Sequence, residues 1–303
     1  MSSQSSEKEN IIRLLLSGQE VNIRLGLQLM ESLQIDFSNF KEDIDVLANA
    51  LKCSSLSFSR KIIKILRLKK CGFKDAVPWK QLHYLTNIET LSMNGNFQQS
   101  SLSAEIGSLT NLKKMSLSYS NVNSLPKEIG NLIQLETLNM HGNQLTALPV
   151  EIGNLTKLKE LNLHYNYLSS LPAEIGKLTN LTELDLHYNN LSSLPVEIGN
   201  LTQLKTLNLV DNQITALPAE ISNLTNLYRL ELDNNQLTNF PSEICDLINL
   251  RTLSLDNTNL KRLPSKISLL KKLASLRLQH NPFSTSERVR IKSLLPDCII
   301  EFY

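Results

Sequence analysis

Three of the chain's five histidines, His141, His164 and His187, recur 23 residues apart, and tyrosines directly follow two of them at Tyr165 and Tyr188. Asp185 stands two positions before His187. Imidazoles and carboxylates bind transition metals and carry protons near neutral pH. Tyrosines join a large apolar ring to one hydrogen bond and are favoured anchors at protein interfaces. Three chemistries are therefore open: a metal site, an imidazole acid–base centre and a contact patch for another protein. The choice depends on whether the 23-residue interval places these side chains on one surface.

The interval belongs to the whole chain. Units begin at Leu112, Leu135, Leu158, Leu181, Leu204, Leu227, Leu250 and Leu273, with a 24-residue version opening at Ile88 and a 25-residue one at Ile63. The shared pattern is LxxLxLxxNxLxxLPxEIGxLxx. Two of its leucines, such as Leu161 and Leu163, are two residues apart and so share one side of a strand. A single unit cannot cover that apolar side, whereas stacked units can, which predicts a parallel sheet over a continuous core. The asparagine column (Asn96, Asn143, Asn166, Asn189, Asn212, Asn235, Asn281) marks the inward turn after each strand, where a buried backbone needs both a donor and an acceptor. Cys71, Ser120 and Thr258 replace it in three units. In the return segment, proline suits the start of a short helical turn, glutamate its positive end and glycine a tight exit.

This pattern resembles the leucine-rich-repeat superfamily, and within it the 23-residue class shared by Ras-pathway scaffolds, polarity scaffolds and many bacterial proteins. The resemblance spans about residues 63–283. It implies an α/β solenoid: a right-handed horseshoe with a parallel concave β-sheet, a helical N-terminal cap and a helix-plus-strand C-terminal cap. The expected organisation is a helical cap over 1–62, ten repeats over 63–283 and a closing cap over 284–303. Ser286–Leu295 reads as the closing helix, stopped by Pro296, with a short strand over Cys298–Phe302. NPFSTSERVRIKSLLPD is similar to the closing segment of bacterial members, and no cysteine-containing ligase domain of the kind some bacterial effectors carry is expected after it.

Composition narrows the function classes. A net charge of +2 gives no dominant basic field, so no nucleic-acid partner is expected. No apolar run reaches the length of a membrane span, and the N-terminus lacks the charge and hydropathy pattern of a secretory signal. Cys53, Cys71, Cys245 and Cys298 are scattered without a CxxC pair, which fits reduced thiols and a cytoplasmic location. Basic runs at 52–80 and 261–292 read as solvated surfaces of the two ends.

The informative positions are the variable ones on the strand face. The residue between the two core leucines reads Asn139, Asn162, Asp185, Asn208 and Glu231 through the central units; two positions on come His141, His164, His187, Val210 and Asp233; the next column contains Tyr165 and Tyr188. Asn139, His141, Asn162, His164, Tyr165, Asp185, His187, Tyr188, Asn208, Glu231 and Asp233 are accordingly the candidate partner-binding residues, with an acidic flank at Asp185, Asp211, Glu231, Asp233 and Asp256. No metal site is expected, because side chains in one flat column point in parallel and no cysteine or carboxylate cleanly completes a tetrahedral set. No cofactor is expected either. Stacked histidines with ordinary pKa values near ~6.5 should repel on protonation, making binding sensitive to pH. No Walker A, GxGxxG, HExxH or GxSxG motif is present, and His164, Asp185 and His187 have no nucleophile specified beside them. The expectation is a non-catalytic scaffold, adaptor or inhibitor that binds a protein on the concave face. The resemblance implies small GTPases or other signalling proteins as one target class. The alternative is a bacterial effector, or an antagonist of one, acting on a host or rival enzyme; a metal- or histidine-dependent enzyme is the weakest reading.

Overall fold

The computed structural model describes residues 65–67, 88–95 and 101–303. The expected helical cap over 1–62, the basic run at 52–80 apart from residues 65–67, the exceptional Cys71, and Asn96 lie outside the described residues. The described strands are three residues each: β1 (Ile65–Arg67), β2 (Thr90–Ser92), β3 (Lys114–Ser116), β4 (Thr137–Asn139), β5 (Glu160–Asn162) and β6 (Glu183–Asp185). They continue through β7 (Thr206–Asn208), β8 (Arg229–Glu231), β9 (Thr252–Ser254), β10 (Ser275–Arg277) and β11 (Ile299–Glu301). All eleven form one parallel sheet in sequential order, so chain order is spatial order. In-register pairing puts Asn139, Asn162, Asp185 and Asn208 side by side.

Each of the strands β2 to β9 is followed by an inward turn and a five-residue 3₁₀ turn on the opposite side, as at Val150–Asn154 and Ala173–Lys177. The prolines stand just before these turns rather than inside them. Pro172 has φ −67° and ψ 149°, and its carbonyl accepts from Ile175 N at 3.0 Å. The ring's fixed φ suits this entry, and no N–H is lost to the turn. The glycines differ from expectation as well. Gly153 and Gly176 do not use a left-handed backbone. A Cβ on Gly176 would lie 2.5 Å from the carbonyl oxygen of Glu197, so glycine is required by the close approach of the next turn.

The core is a stack of leucines and isoleucines. Leu158, Leu163, Leu168, Ile175 and Leu178 of one unit are all fully buried, and neighbouring units repeat the set. Each such side chain contributes about 1.5–3 kcal/mol by leaving water. Through this core runs a polar seam. Asn166 is buried, accepts from Leu145 N at 3.0 Å, and donates to Met140 O at 3.0 Å and Leu163 O at 2.9 Å. One carboxamide thus ties its own strand exit to the preceding unit. At Ser120 and Thr258 a hydroxyl does part of this work, donating to Met93 O and Leu255 O respectively. At the far end, α1 (Thr285–Leu294) begins one residue earlier than the sequence suggests. Ser284 caps it by accepting from Glu287 N, and Phe283, Ile291, Leu295 and Phe302 close the core.

Asn166→Ala is expected to lower stability by about 3 kcal/mol, since it orphans an amide and two carbonyls without solvent access. Exposed Gln144→Ala should stay within about 0.5 kcal/mol. Urea denaturation followed by circular dichroism checks the pair, and equal midpoints for the two variants would refute the structural role given to the seam.

Candidate partner-binding site on the concave sheet

The strand register brings the three histidines into direct contact. His141 and His164 stack with ring centroids 4.5 Å apart and 21° between planes; His164 and His187 follow at 4.2 Å and 16°. Tyr165 and Tyr188 stack alongside at 4.3 Å and 9°, and Tyr119 meets His141 edge-on at 4.6 Å. Asp185 reaches across from β6. Its Oδ1 lies 2.6 Å from His187 Nδ1, and its Oδ2 lies 3.4 Å from His164 Nδ1. A carboxylate only accepts, so His187 Nδ1 is the donor in this bond. His164 Nδ1 is buried and finds no well-directed hydrogen-bond partner.

The expected residues separate into three kinds. His141, His164, Tyr165, Asp185, His187 and Tyr188 form one continuous patch. Asn139, Asn162 and Asn208 instead brace the strand exits, each accepting from the backbone amide two residues on at 3.1, 3.2 and 3.1 Å. Glu231 is paired with Arg229 at 2.7 Å, and Asp233 is buried, accepting from Ser254 Oγ and Asp256 N. Asp256 likewise accepts from Gln279 N and pairs with Arg277. Two of the five acidic-flank residues, Asp233 and Asp256, are therefore committed inside the sheet, and Glu231 is already paired.

The tyrosine column has a meaning that sequence spacing does not show. The chain turns left-handed at this position in successive units, with φ 54–55° at Asp211, Asn234 and Asn257 and 67° at Gly142. Glycine, asparagine and aspartate are the residues that tolerate it. Tyr119, Tyr165 and Tyr188 adopt the same backbone at φ 52°, at a cost of about 1–2 kcal/mol each. Strain of this kind gathers where a side chain serves a function. The tyrosine just beyond the seam, Tyr167, was missed because it sits in the loop and not on the strand; only its offset of one from Asn166 could have flagged it. Together Tyr119, Tyr165, Tyr167 and Tyr188 line a groove of about 630 Å³, and these four are between 44 and 63% exposed. Glu160 and Glu183, at the start of their strands, add exposed carboxylates to the same face.

Ligand atoms of His164, Asp185 and His187 lie within 4.8 Å of one another, so Asp185 supplies a carboxylate from the adjoining column. The imidazoles remain face to face, and an ion would have to break the Asp185–His187 hydrogen bond and turn both rings to gain tetrahedral ligation. Burial holds the His141 and His164 pKa values below the ordinary 6.5, against the upward pull of Asp185. Their neutral forms are thus the stacked forms.

The sequence matches a leucine-rich repeat region over residues 70–190, a single repeat over 180–201 and a two-copy repeat over 202–244. The chain belongs to the leucine-rich-repeat superfamily. Among solved structures it is 29% identical to a leucine-rich-repeat protein of Leptospira interrogans, with a TM-score of 0.54, covering 88% of this chain and 94% of that one. An internalin of Listeria monocytogenes shares the fold at 22% identity and TM-score 0.57, over 83% of this chain and 85% of the other. PEPR1, in the structure of PEPR1–AtPEP1, is 25% identical with a TM-score of 0.62; 85% of this chain is covered, but only 39% of that longer one. No curated protein matches the chain. Proteins of this superfamily generally mediate protein–protein interaction, and the fold is typically a non-catalytic interaction module. Among the described residues of this leucine-rich-repeat protein, no helix is long and apolar enough to cross a membrane.

A histidine whose folded pKa is depressed resists a proton that the unfolded chain accepts below 6.5. Stability should therefore fall as pH drops from about 7.5 to about 5.5, the window of histidine titration. The groups facing the stack are Asp185 from β6, the neighbouring imidazoles, and Tyr119, Tyr165 and Tyr188. His164→Asn should flatten this dependence in thermal melts across the range; an unchanged slope would show that the stack does not govern it.

Proposed function

We propose that this protein is a non-catalytic binding module, acting as scaffold, adaptor or inhibitor, whose protein partner docks on the concave face over His141, His164, Tyr165, His187 and Tyr188. The observation that carries this reading is the set of stacked, exposed tyrosines held on a left-handed backbone where other described units place glycine, aspartate, asparagine and, once, histidine. Nothing in the fold needs those rings for its core, and a site held at conformational cost is better accounted for by recognition than by stability. The pairing of PEPR1 with AtPEP1 in a related solenoid gives the reading a precedent. The free thiols of Cys245 and Cys298, both pushed up to about 11 by burial, suit a reducing compartment, so the cytoplasm is the proposed location. Small GTPases and other signalling proteins stand as one target class.

The test compares affinity capture by wild-type protein, by Tyr165→Asn/Tyr188→Asn, and by Thr179→Glu on the convex side. Asparagine is the residue other units place at this backbone position, so the double variant should fold within about 1 kcal/mol of wild type, relief of strain offsetting lost stacking. A partner retained by Thr179→Glu and weakened at least about tenfold by the double variant is the expected result, the loss of two anchor side chains. An identical catch from all three proteins would move the interface elsewhere.

A further inference from the structure

The concave face carries unbalanced negative charge beside its tyrosines. Among the described residues, Glu160, Glu183, Asp185 and Asp211 have no lysine or arginine within ion-pair distance. The acids farther along the sheet are answered: Glu231 by Arg229 at 2.7 Å, and Asp256 by Arg277 at 2.5 Å. The tyrosine-lined groove contains Asp211 as its charged side chain and no cation.

The tyrosine stack also ends abruptly. Tyr165 and Tyr188 lie parallel at 4.3 Å, and the next residue of the column is Asp211, whose short side chain cannot continue the row of rings. Among the described residues no further aromatic ring covers the far side of Tyr188. Asp211 lies close enough to the Tyr188 hydroxyl for its charge to raise that group's pKa. Its Oδ1 accepts from Asn234 Nδ2 at 3.0 Å. A carboxylate offers about four acceptor directions, so this donor leaves capacity for more.

We propose that the Tyr165–Tyr188–Asp211 corner is a guanidinium-binding subsite, into which the protein partner inserts an arginine side chain. The inference rests on the concave-face reading above and names the chemistry recognised there. A planar guanidinium on the outer face of Tyr188 continues the stack as a third layer and brings its N–H fork to the Asp211 carboxylate. Lysine fits less well, because its ammonium is a strongly hydrated point charge without a plane to stack. Glu183 and Asp185 add attraction on approach, an effect that salt screens.

The probe is N-acetyl-arginine methylamide, titrated into the full chain and followed through tyrosine ring resonances in NMR spectra. The neutral isostere N-acetyl-citrulline methylamide is the comparison. Saturable shifts at Tyr165 and Tyr188 are expected with arginine, at least about tenfold weaker with citrulline, from the strength of a charge-assisted hydrogen bond. Asp211→Asn, which folds because Asn234 already occupies the same backbone conformation, should weaken arginine binding by a similar factor; Glu231→Gln should not. Equal shifts with citrulline, shifts confined to Tyr228 or Tyr303, or no effect of Asp211→Asn would overturn the subsite. The captured partner separates the two proposals. Its loss from Tyr165→Asn/Tyr188→Asn but not from Asp211→Asn overturns the arginine and leaves the concave interface standing. Probe binding with full partner retention by both variants overturns the partner's use of this corner.

Discussion

Every unit of this solenoid must turn its backbone inward through an apolar core, where peptide groups have no water to bond. The asparagine seam meets that obligation. A carboxamide such as Asn189 accepts from Leu168 N and donates to Leu163 O and Leu186 O, so each turn is satisfied only when its neighbour is present. Leucine burial supplies most of the stabilising free energy, but it is indifferent to register. The seam is what holds unit to unit at one spacing, and the flat, aligned columns of the concave sheet follow from that spacing.

The same turn sets the terms for the concave face. To bring the asparagine inward, the preceding residue takes a left-handed conformation, and glycine, asparagine or aspartate fills five of the nine described places in that column, tyrosine or histidine the other four. Tyrosines there are departures from a conformational rule. Gly142 belongs to the same logic: the Tyr119 ring lies across it, within 2.4 Å of where a Cβ would stand. The gap in the column is thus the seat of a ring from the unit before.

Beside the tyrosines, burial lowers the pKa of His141 and His164, and Asp185 pins the stack at one end through His187. The resulting surface is aromatic and amide-rich, with carboxylates at its margins and its cations drawn off to pairs such as Lys159–Glu136 and Arg229–Glu231. Such a face favours a partner offering apolar contact and positive charge.

Much of this was legible from residue order. The 23-residue period, the leucine spacing and the asparagine column determined a parallel solenoid and named His141, His164, Tyr165, His187 and Tyr188 as neighbours, because a strict repeat converts sequence offset into position. The repeat could not say which polar side chains remain available. Asn139, Asn162 and Asn208 brace strand exits as Asp185 does at His187 N, but only Asp185 also reaches two imidazoles; Asp233 looks like part of an acidic surface and is buried among amides. Nor did it reveal that the convex glycines answer a carbonyl of the next turn, or that the tyrosines stand on a strained backbone. Those outcomes depend on φ angles and on contacts between units, which a linear pattern specifies only by type. Periodicity determined the lattice of this protein, and the tertiary structure decided which of its side chains face outward with bonding capacity to spare.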